Sequence, residues 1–110
     1  MDFDSKTIIE NGIGTIGKIK IIKALAEENK MVTIYVLHKR TGLKREDIKR
    51  NLKDLLSIDW IKEKRMANTM YHLNRDNEYV NAILCFFANV GYIGQPRDSF
   101  RHVRSKNIIL

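Results

Sequence analysis

The most constraining feature of the sequence is a pair of helical patterns separated by a turn of only a few residues. Segment 34–40 follows Thr33, a residue type that commonly caps helices, and stops before Gly42, which takes the left-handed conformation without steric cost. Segment 44–56 then carries three apolar residues on one face, at spacings of i, i+4 and i+7: Ile48, Leu52 and Leu55. Two helices joined by a short glycine-containing turn predict a helix-turn-helix.

Beyond the second of these helices, the pattern changes from a helical to an alternating period. Residues 58–65 and 69–73 are rich in β-branched and aromatic side chains and predict two strands. Residues 66–68 form the predicted turn, in which Asn68 tolerates a positive φ. The sequence therefore predicts a hairpin directly after the helix-turn-helix.

One further helix is expected on each side of these elements. The spacing of isoleucine, alanine and leucine residues predicts a first helix over about 15–29, with Thr15 as its N-cap. A last helix is expected over about 77–90, capped by Asn74 or Asp76. We place both helices in one domain that spans residues 1–93, followed by a basic tail over 94–110.

The last helix carries more apolar residues than one buried face requires. The excess is concentrated in five large side chains: Tyr79, Ile83, Phe86, Phe87 and Val90. A helix that is apolar nearly all round needs a second surface to bury against. These residues either close the core of one subunit or form a dimer interface. We expect both, with one side facing inward and the other facing a partner subunit.

The net charge of the chain indicates which class of partner it binds. The chain has 110 residues, with 20 Lys and Arg against 13 Asp and Glu, and a formal net charge of +7. The basic surplus lies between 31 and 75 and after residue 96. Such a surplus points to polyanions, nucleic acid before an anionic membrane. No stretch of eighteen apolar residues predicts a membrane span, and a single cysteine fits a reducing cytoplasm.

No catalytic or metal constellation is predicted. Three histidines and one cysteine lack the spacing of metal ligands: His38, His72, His102 and Cys85. The run 12–17 matches G-x-G-x-x-G by its letters. A dinucleotide-binding fold needs a longer βαβ unit, so we interpret these glycines as part of an N-terminal loop. We expect neither a cofactor nor an enzymatic activity.

The order of elements over residues 33–74 resembles the winged helix-turn-helix domain of small bacterial and archaeal transcription regulators. The resemblance rests on the turn Gly42-Leu43, on the apolar triplet of the third helix, and on the motifs Asp59-Trp60-Ile61 and Tyr71-His72-Leu73-Asn74. Archaeal plasmid and viral regulators are most similar in their isoleucine- and lysine-rich style. The family usually has Gly at the position of Asp59 and a small N-cap at the position of Lys44. The resemblance implies a mainly helical α+β fold with three helices, a two-stranded wing and a C-terminal helix.

The resemblance also implies which side chains meet DNA. Opposite its apolar face, the third helix carries cations that fit a major groove, and Arg45 and Lys49 are the candidate base readers. The other predicted contacts, to phosphates and from the wing, are Lys39, Arg40, Lys44, Arg50, Lys53, Lys64, Arg65 and Asn68. The tail residues Arg97, Arg101, Arg104 and Lys106 form either a minor-groove arm or a solvated end.

The leading functional hypothesis is a homodimeric, sequence-specific regulator that binds double-stranded DNA and represses transcription by occluding a promoter, in the cytoplasm and associated with the nucleoid. One alternative is an architectural or plasmid-partition protein that coats DNA with little sequence preference. Another is a winged-helix module that binds other proteins. A footprint on one short palindrome favours the first, extended cooperative footprints favour the second, and loss of duplex binding at about 0.15 M salt favours the third.

Overall fold

The computed structural model describes residues 10–11, 13–28 and 30–94. Within these residues, four helices and one two-stranded antiparallel sheet follow each other along the chain. In order, they are α1 (Ile16–Glu27), α2 (Ile34–Thr41), α3 (Arg45–Ser57), β1 (Ile61–Lys64), β2 (Met70–Leu73) and α4 (Glu78–Asn89). The predicted mainly helical α+β class is confirmed. None of the helices in this part of the chain is long and apolar enough to cross a membrane. The predicted basic tail after Gly94 lies outside the described residues.

Side-chain caps begin the first two helices where the sequence predicts them. The Thr15 hydroxyl accepts the backbone N–H of Lys18 at 3.2 Å, and the Thr33 hydroxyl accepts that of Val36 at 3.3 Å. Each cap satisfies one N–H group that lacks a partner within the helix. Helix α1 ends at Glu27, two residues before the predicted end, because Glu28 has extended backbone angles.

The turn of the helix-turn-helix is held by local hydrogen bonds. Gly42 has a φ of 75°, and its N–H donates to the carbonyl of His38 at 2.9 Å. The Thr41 hydroxyl donates to Leu37 O at 2.7 Å and accepts from Leu43 N at 3.1 Å. Helix α3 then begins at Arg45. Its N-cap, Lys44, makes no side-chain capping hydrogen bond, as its side chain lacks an acceptor.

The hairpin is shorter than the sequence predicts. The expected strand 58–65 begins only at Ile61, because residues 58–60 form a turn in which Asp59 has a φ of 65°. Among the described residues, Asp59 is the one non-glycine residue with a positive φ, so the turn over 66–68 does not use the tolerance of Asn68 for that conformation. In the sheet, Ile61 lies opposite Leu73. Val32 extends the sheet by one antiparallel bridge, with two hydrogen bonds to Tyr71.

The positive φ of Asp59 leads to a prediction about stability. A side chain at this φ is strained by about 1–2 kcal/mol relative to glycine. Both Asp59→Ala and Asp59→Gly remove the carboxylate, so only the backbone preference separates them. We expect the free energy of unfolding of Asp59→Ala to be about 1 kcal/mol lower than that of Asp59→Gly, measured by urea denaturation. Equal free energies for the two variants would mean that this turn relaxes out of the left-handed region.

Helix α4 is capped by a residue other than those predicted. The Asn77 side chain accepts the N–H groups of Tyr79 at 2.8 Å and Val80 at 3.1 Å, so neither Asn74 nor Asp76 is the N-cap. Asn74 is buried and is used elsewhere: its amide donates to the carbonyl oxygen of Asp59 at 2.9 Å. The side chain of Asn74, which the sequence predicts as a possible cap, therefore links the turn before β1 to the residue that follows β2.

The core is formed by the inner faces of all four helices and of the sheet. Trp60 is fully buried at its centre, beside the apolar face of α3. Two contacts bring α1 close to α3. A Cβ atom on Gly17 would lie 2.5 Å from the amide nitrogen of the buried Asn51, and the nearly buried Lys18 pairs with Asp54 at 3.0 Å. The expectation that Gly17 belongs to an N-terminal loop is therefore wrong, since it lies within α1 and allows close helix packing.

Candidate nucleic-acid interface

Helix α3 separates its apolar and charged residues onto opposite faces. Ile48, Leu52 and Leu55 are each at most 1% exposed, which confirms the predicted inner face. The outer face presents one carboxylate and four cations to solvent: Glu46, Arg45, Lys49, Arg50 and Lys53. An α-helix of this kind fits the major groove of B-DNA, which is about 12 Å wide. The tertiary structure therefore leaves the predicted recognition surface accessible.

The cations of this outer face differ in whether a carboxylate neutralises them. Arg50 pairs with Asp47 one turn before it on the same helix. Arg45, Lys49 and Lys53 have no carboxylate partner within the described residues, so no ion pair offsets their positive charge. Asp47 and Glu46 lie in the first turn, where the helix dipole favours negative charge. The net positive surface is therefore formed by Arg45, Lys49 and Lys53.

An exposed aromatic ring lies next to two of the predicted DNA contacts. Tyr35, in the first turn of α2, is 54% exposed. The Lys39 Nζ atom and the Arg45 Cζ atom each lie 5.8 Å from the centroid of its ring. These distances are within the range of cation–π attraction. Sequence analysis did not identify Tyr35 as a site residue. The available signal was its position four residues before Lys39 on one face of α2.

Arg40 lies apart from the other predicted contacts. Its guanidinium pairs with Glu27 at 3.1 Å and with Glu28, both at the C-terminal end of α1. Two carboxylates satisfy its charge and its hydrogen-bond donors within the subunit. These ion pairs join α1 to α2, but the side chain of Arg40 is exposed, so its phosphate contact stays a prediction.

The wing presents its charges to solvent. Lys64, Arg65 and Asn68 are all exposed around the tip of the hairpin, together with Met66. Arg65 lies 3.5 Å from Glu63, but its side chain is 81% exposed, so this ion pair is weak. The structure therefore leaves all three predicted wing residues accessible to a partner.

A tyrosine on the inner face of the wing has a perturbed acidity. Burial raises the pKa of the Tyr71 phenol above its ordinary value of 10.0, and the nearby carboxylate of Glu63 raises that pKa further. The Arg65 guanidinium acts in the opposite direction. The neutral phenol is thus favoured in the folded protein, because the interior disfavours the phenolate.

The raised pKa of Tyr71 predicts a loss of stability at alkaline pH. The folded state holds the phenolic proton more tightly than the unfolded state. This contribution is complete below pH 10 and is lost as the pH rises through the folded-state pKa. We expect Tyr71→Phe to lose less free energy of unfolding than the wild type between pH 9 and pH 11, measured by urea denaturation at both values. Parallel losses in the two proteins would exclude this contribution from Tyr71.

The structure divides the predicted interface residues of α4 into two groups. Phe87 is buried and lies edge-on to Tyr92 at 4.9 Å, and Tyr79 stacks on Trp60 at 6.3 Å. Phe86 and Val90 are 61% and 60% exposed, and Ile83 is half-buried. The inner part of this apolar surface therefore closes the core, and its outer part, Phe86 and Val90, remains an exposed apolar stripe.

A groove of about 1200 Å³ lies between α1, the wing and α4. Its apolar lining includes Leu25, Leu73 and Leu84, and its rim includes His72 and Cys85. Within the described residues, no three histidine, cysteine or acidic side chains lie close enough to hold a metal ion. His102, the remaining member of the set considered from sequence, lies outside those residues.

A helix-turn-helix followed by a two-stranded wing defines the winged helix-turn-helix class of fold. Comparison with solved structures agrees with this class. The chain is similar to HlyU from Vibrio cholerae N16961, with a TM-score of 0.65 and 13% identity over 80% of this chain and 97% of that one. It is also similar to NolR from Sinorhizobium fredii, with a TM-score of 0.62 and 14% identity over 82% and 95% of the two chains.

A third similar structure is a predicted DNA-binding transcriptional regulator from E. coli. Its TM-score is 0.62 at 20% identity, over 79% of this chain and 90% of that one. At these identities, the similarity concerns the fold. All three structures come from bacteria, so they give no support to the predicted archaeal character. No family model and no curated protein matches the chain.

Proposed function

We propose that this chain is a sequence-specific regulator that binds double-stranded DNA and represses transcription by occluding a promoter. The carrying observation is the outer face of α3, where Lys49 and Lys53 are exposed and lack a carboxylate partner within the described residues. The winged helix-turn-helix fold supports this proposal, because it presents that face beside a basic wing. The description of the similar E. coli structure as a DNA-binding transcriptional regulator also supports it.

The residues divide into those that read bases and those that hold phosphates. Arg45 and Lys49 lie in the first half of α3, which faces base edges in helix-turn-helix complexes. Phosphate contacts come from the remaining exposed cations near the motif, which are Lys39, Arg40, Lys44, Arg50 and Lys53. The wing residues Lys64, Arg65 and Asn68 follow the backbone or enter the minor groove.

Recognition by a single subunit is weak, which is why we propose a homodimer. Two to four base contacts at about 1–3 kcal/mol each discriminate poorly among the sites of a genome. A two-fold dimer doubles these contacts on half-sites about 34 Å apart. The exposed stripe of α4, formed by Phe86 and Val90, is the proposed interface.

Disrupting this stripe is expected to separate the subunits. Phe86→Ser/Val90→Ser replaces two exposed side chains, so it should leave the fold intact while removing apolar contact area. We expect the mass measured by light scattering at about 10 μM to fall from twice 12.9 kDa to 12.9 kDa. Ile16→Ser/Met66→Ser, at exposed positions elsewhere, is the matched control and should keep the wild-type mass. A wild type that is already monomeric would overturn the homodimer.

Selection of bound duplexes from random DNA, followed by footprinting at stated salt, tests the proposed function. We expect a short palindromic site. If one subunit neutralises about six phosphates, the slope of log K against log salt concentration should be near −5. Extended cooperative footprints without a preferred sequence would replace the proposal with a DNA-coating role. Loss of all duplex binding at about 0.15 M salt would favour a protein-binding module.

A further inference from the structure

The cluster formed by Tyr35, Lys39 and Arg45 joins the two helices of the motif at their outer surface. Tyr35 and Lys39 are one turn apart on α2, and Arg45 is the first residue of α3, beyond the turn. Both cationic groups lie 5.8 Å from the same ring centroid. The ring is more than half exposed, so it contributes little to the core.

The contact of Lys39 and Arg45 with an aromatic ring differs from the ion pairs that other arginines of the domain make with carboxylates. Arg40 and Arg50 are ordered by ion pairs with Glu27, Glu28 and Asp47, which also neutralise their charge. An aromatic face attracts a cation through its quadrupole and carries no net charge. The ring therefore attracts Lys39 and Arg45 while their positive charge and their hydrogen-bond donors stay available.

Ordering matters because long cationic side chains lose conformational freedom when they bind. Each immobilised side chain of this kind weakens a complex by about twofold to twelvefold. A cationic side chain that is already held near its binding position loses less conformational freedom on binding. The arrangement around Tyr35 lowers this loss for two predicted DNA contacts at once.

We infer that Tyr35 is a positioning residue for DNA binding, which holds Lys39 ready for a phosphate and Arg45 ready for a base edge. This inference rests on the proposed function and adds a residue that acts through two others. It predicts that the aromatic ring matters and that the phenolic hydroxyl does not. It also predicts that Tyr35 has no effect once both cations are absent.

Affinity measurements on four variants test this role, with the 30-base-pair duplex that the wild type selects from random DNA as the probe. We expect Tyr35→Leu to bind about threefold to tenfold more weakly, while Tyr35→Phe binds like the wild type. In the background Lys39→Ala/Arg45→Ala, adding Tyr35→Leu should change the affinity by less than about twofold, measured at low salt. Circular dichroism checks the fold of every variant, and the exposure of Tyr35 predicts no change.

The outcomes separate this inference from the function on which it rests. If the wild type binds duplex DNA and Tyr35→Leu binds as tightly, the positioning role is overturned and the proposed function stands. An equal loss in Tyr35→Phe would assign the effect to the hydroxyl, and an undiminished loss in the background without cations would assign it to direct contact or to the fold. Either result overturns the role. A wild type that binds no duplex overturns both proposals.

Discussion

Lys49→Ala/Arg50→Ala is expected to weaken binding to duplex DNA by about a hundredfold. The double substitution removes one proposed base contact, worth about 1–3 kcal/mol, and one proposed phosphate contact. A total near 2.7 kcal/mol corresponds to two powers of ten in the dissociation constant. Both side chains are exposed, so the fold should not change. Gel-shift titration of the selected duplex measures the effect.

The matched control removes the same charge from another surface. Lys20→Ala/Lys30→Ala also deletes two exposed cations, one on α1 and one before α2, and gives the same net charge. We expect the control to bind within about threefold of the wild type, because distant exposed charges are largely screened. If both double variants lose affinity equally, net charge rather than the face of α3 controls binding. Unchanged affinity in Lys49→Ala/Arg50→Ala would remove the proposed mechanism.

Leu52→Ala is expected to destabilise the domain by about 2–5 kcal/mol. Leu52 is 1% exposed on the inner face of α3, where truncation removes buried methyl groups and leaves a cavity. A small domain has only about 5–15 kcal/mol of stability in total, so this loss is a large fraction of it. Urea denaturation at a fixed protein concentration, followed by the fluorescence of the single tryptophan, Trp60, measures the loss.

The same substitution one turn later is the control. Leu56 is only half-buried at the edge of the core, so Leu56→Ala leaves a smaller cavity and should cost about 1 kcal/mol. The comparison holds the helix propensity and the chemical change constant. If the two variants cost the same, burial against the core does not set the stability contribution of α3.

The helix-turn-helix could be predicted because its signals are local. Thr33 caps α2 and Gly42 ends it through interactions that span only a few residues. The inner face of α3 follows from helical geometry alone, since residues at i, i+4 and i+7 share one side. The burial of Ile48 and Leu55 confirms that this face meets the core.

The hairpin and the last helix show where local signals are ambiguous. The run around Trp60 is apolar enough for a strand, but Asp59 takes a left-handed turn that ties it to Asn74, fifteen residues away. Asn74, Asp76 and Asn77 are all plausible N-caps by residue type. Only the hydrogen bonds between distant residues select Asn77, because Asn74 is engaged by the turn before the wing.

Local sequence signals also did not predict which partners the cations of the candidate site would have. Sequence patterns assign Arg40 and Lys39 to one exposed basic segment. The structure directs Arg40 toward Glu27 and Glu28, while Lys39 lies beside Tyr35. The contact of Arg40 has no signal in the spacing along the chain, because its partners belong to α1. The contact between Tyr35 and Lys39 has one, the spacing of four residues on α2, but the second cation beside Tyr35 belongs to α3.

The sequence by itself determined the order of the elements, the inner face of α3 and the sign of the charge on its outer face. These properties depend on spacing and residue type within a few turns of the chain. Only the tertiary structure decided which cations remain free, which side of α4 stays exposed and which aromatic ring lies beside Arg45. The physical reason is that ion pairs, burial and ring contacts depend on distances between elements, and those distances exist only after the helices have packed.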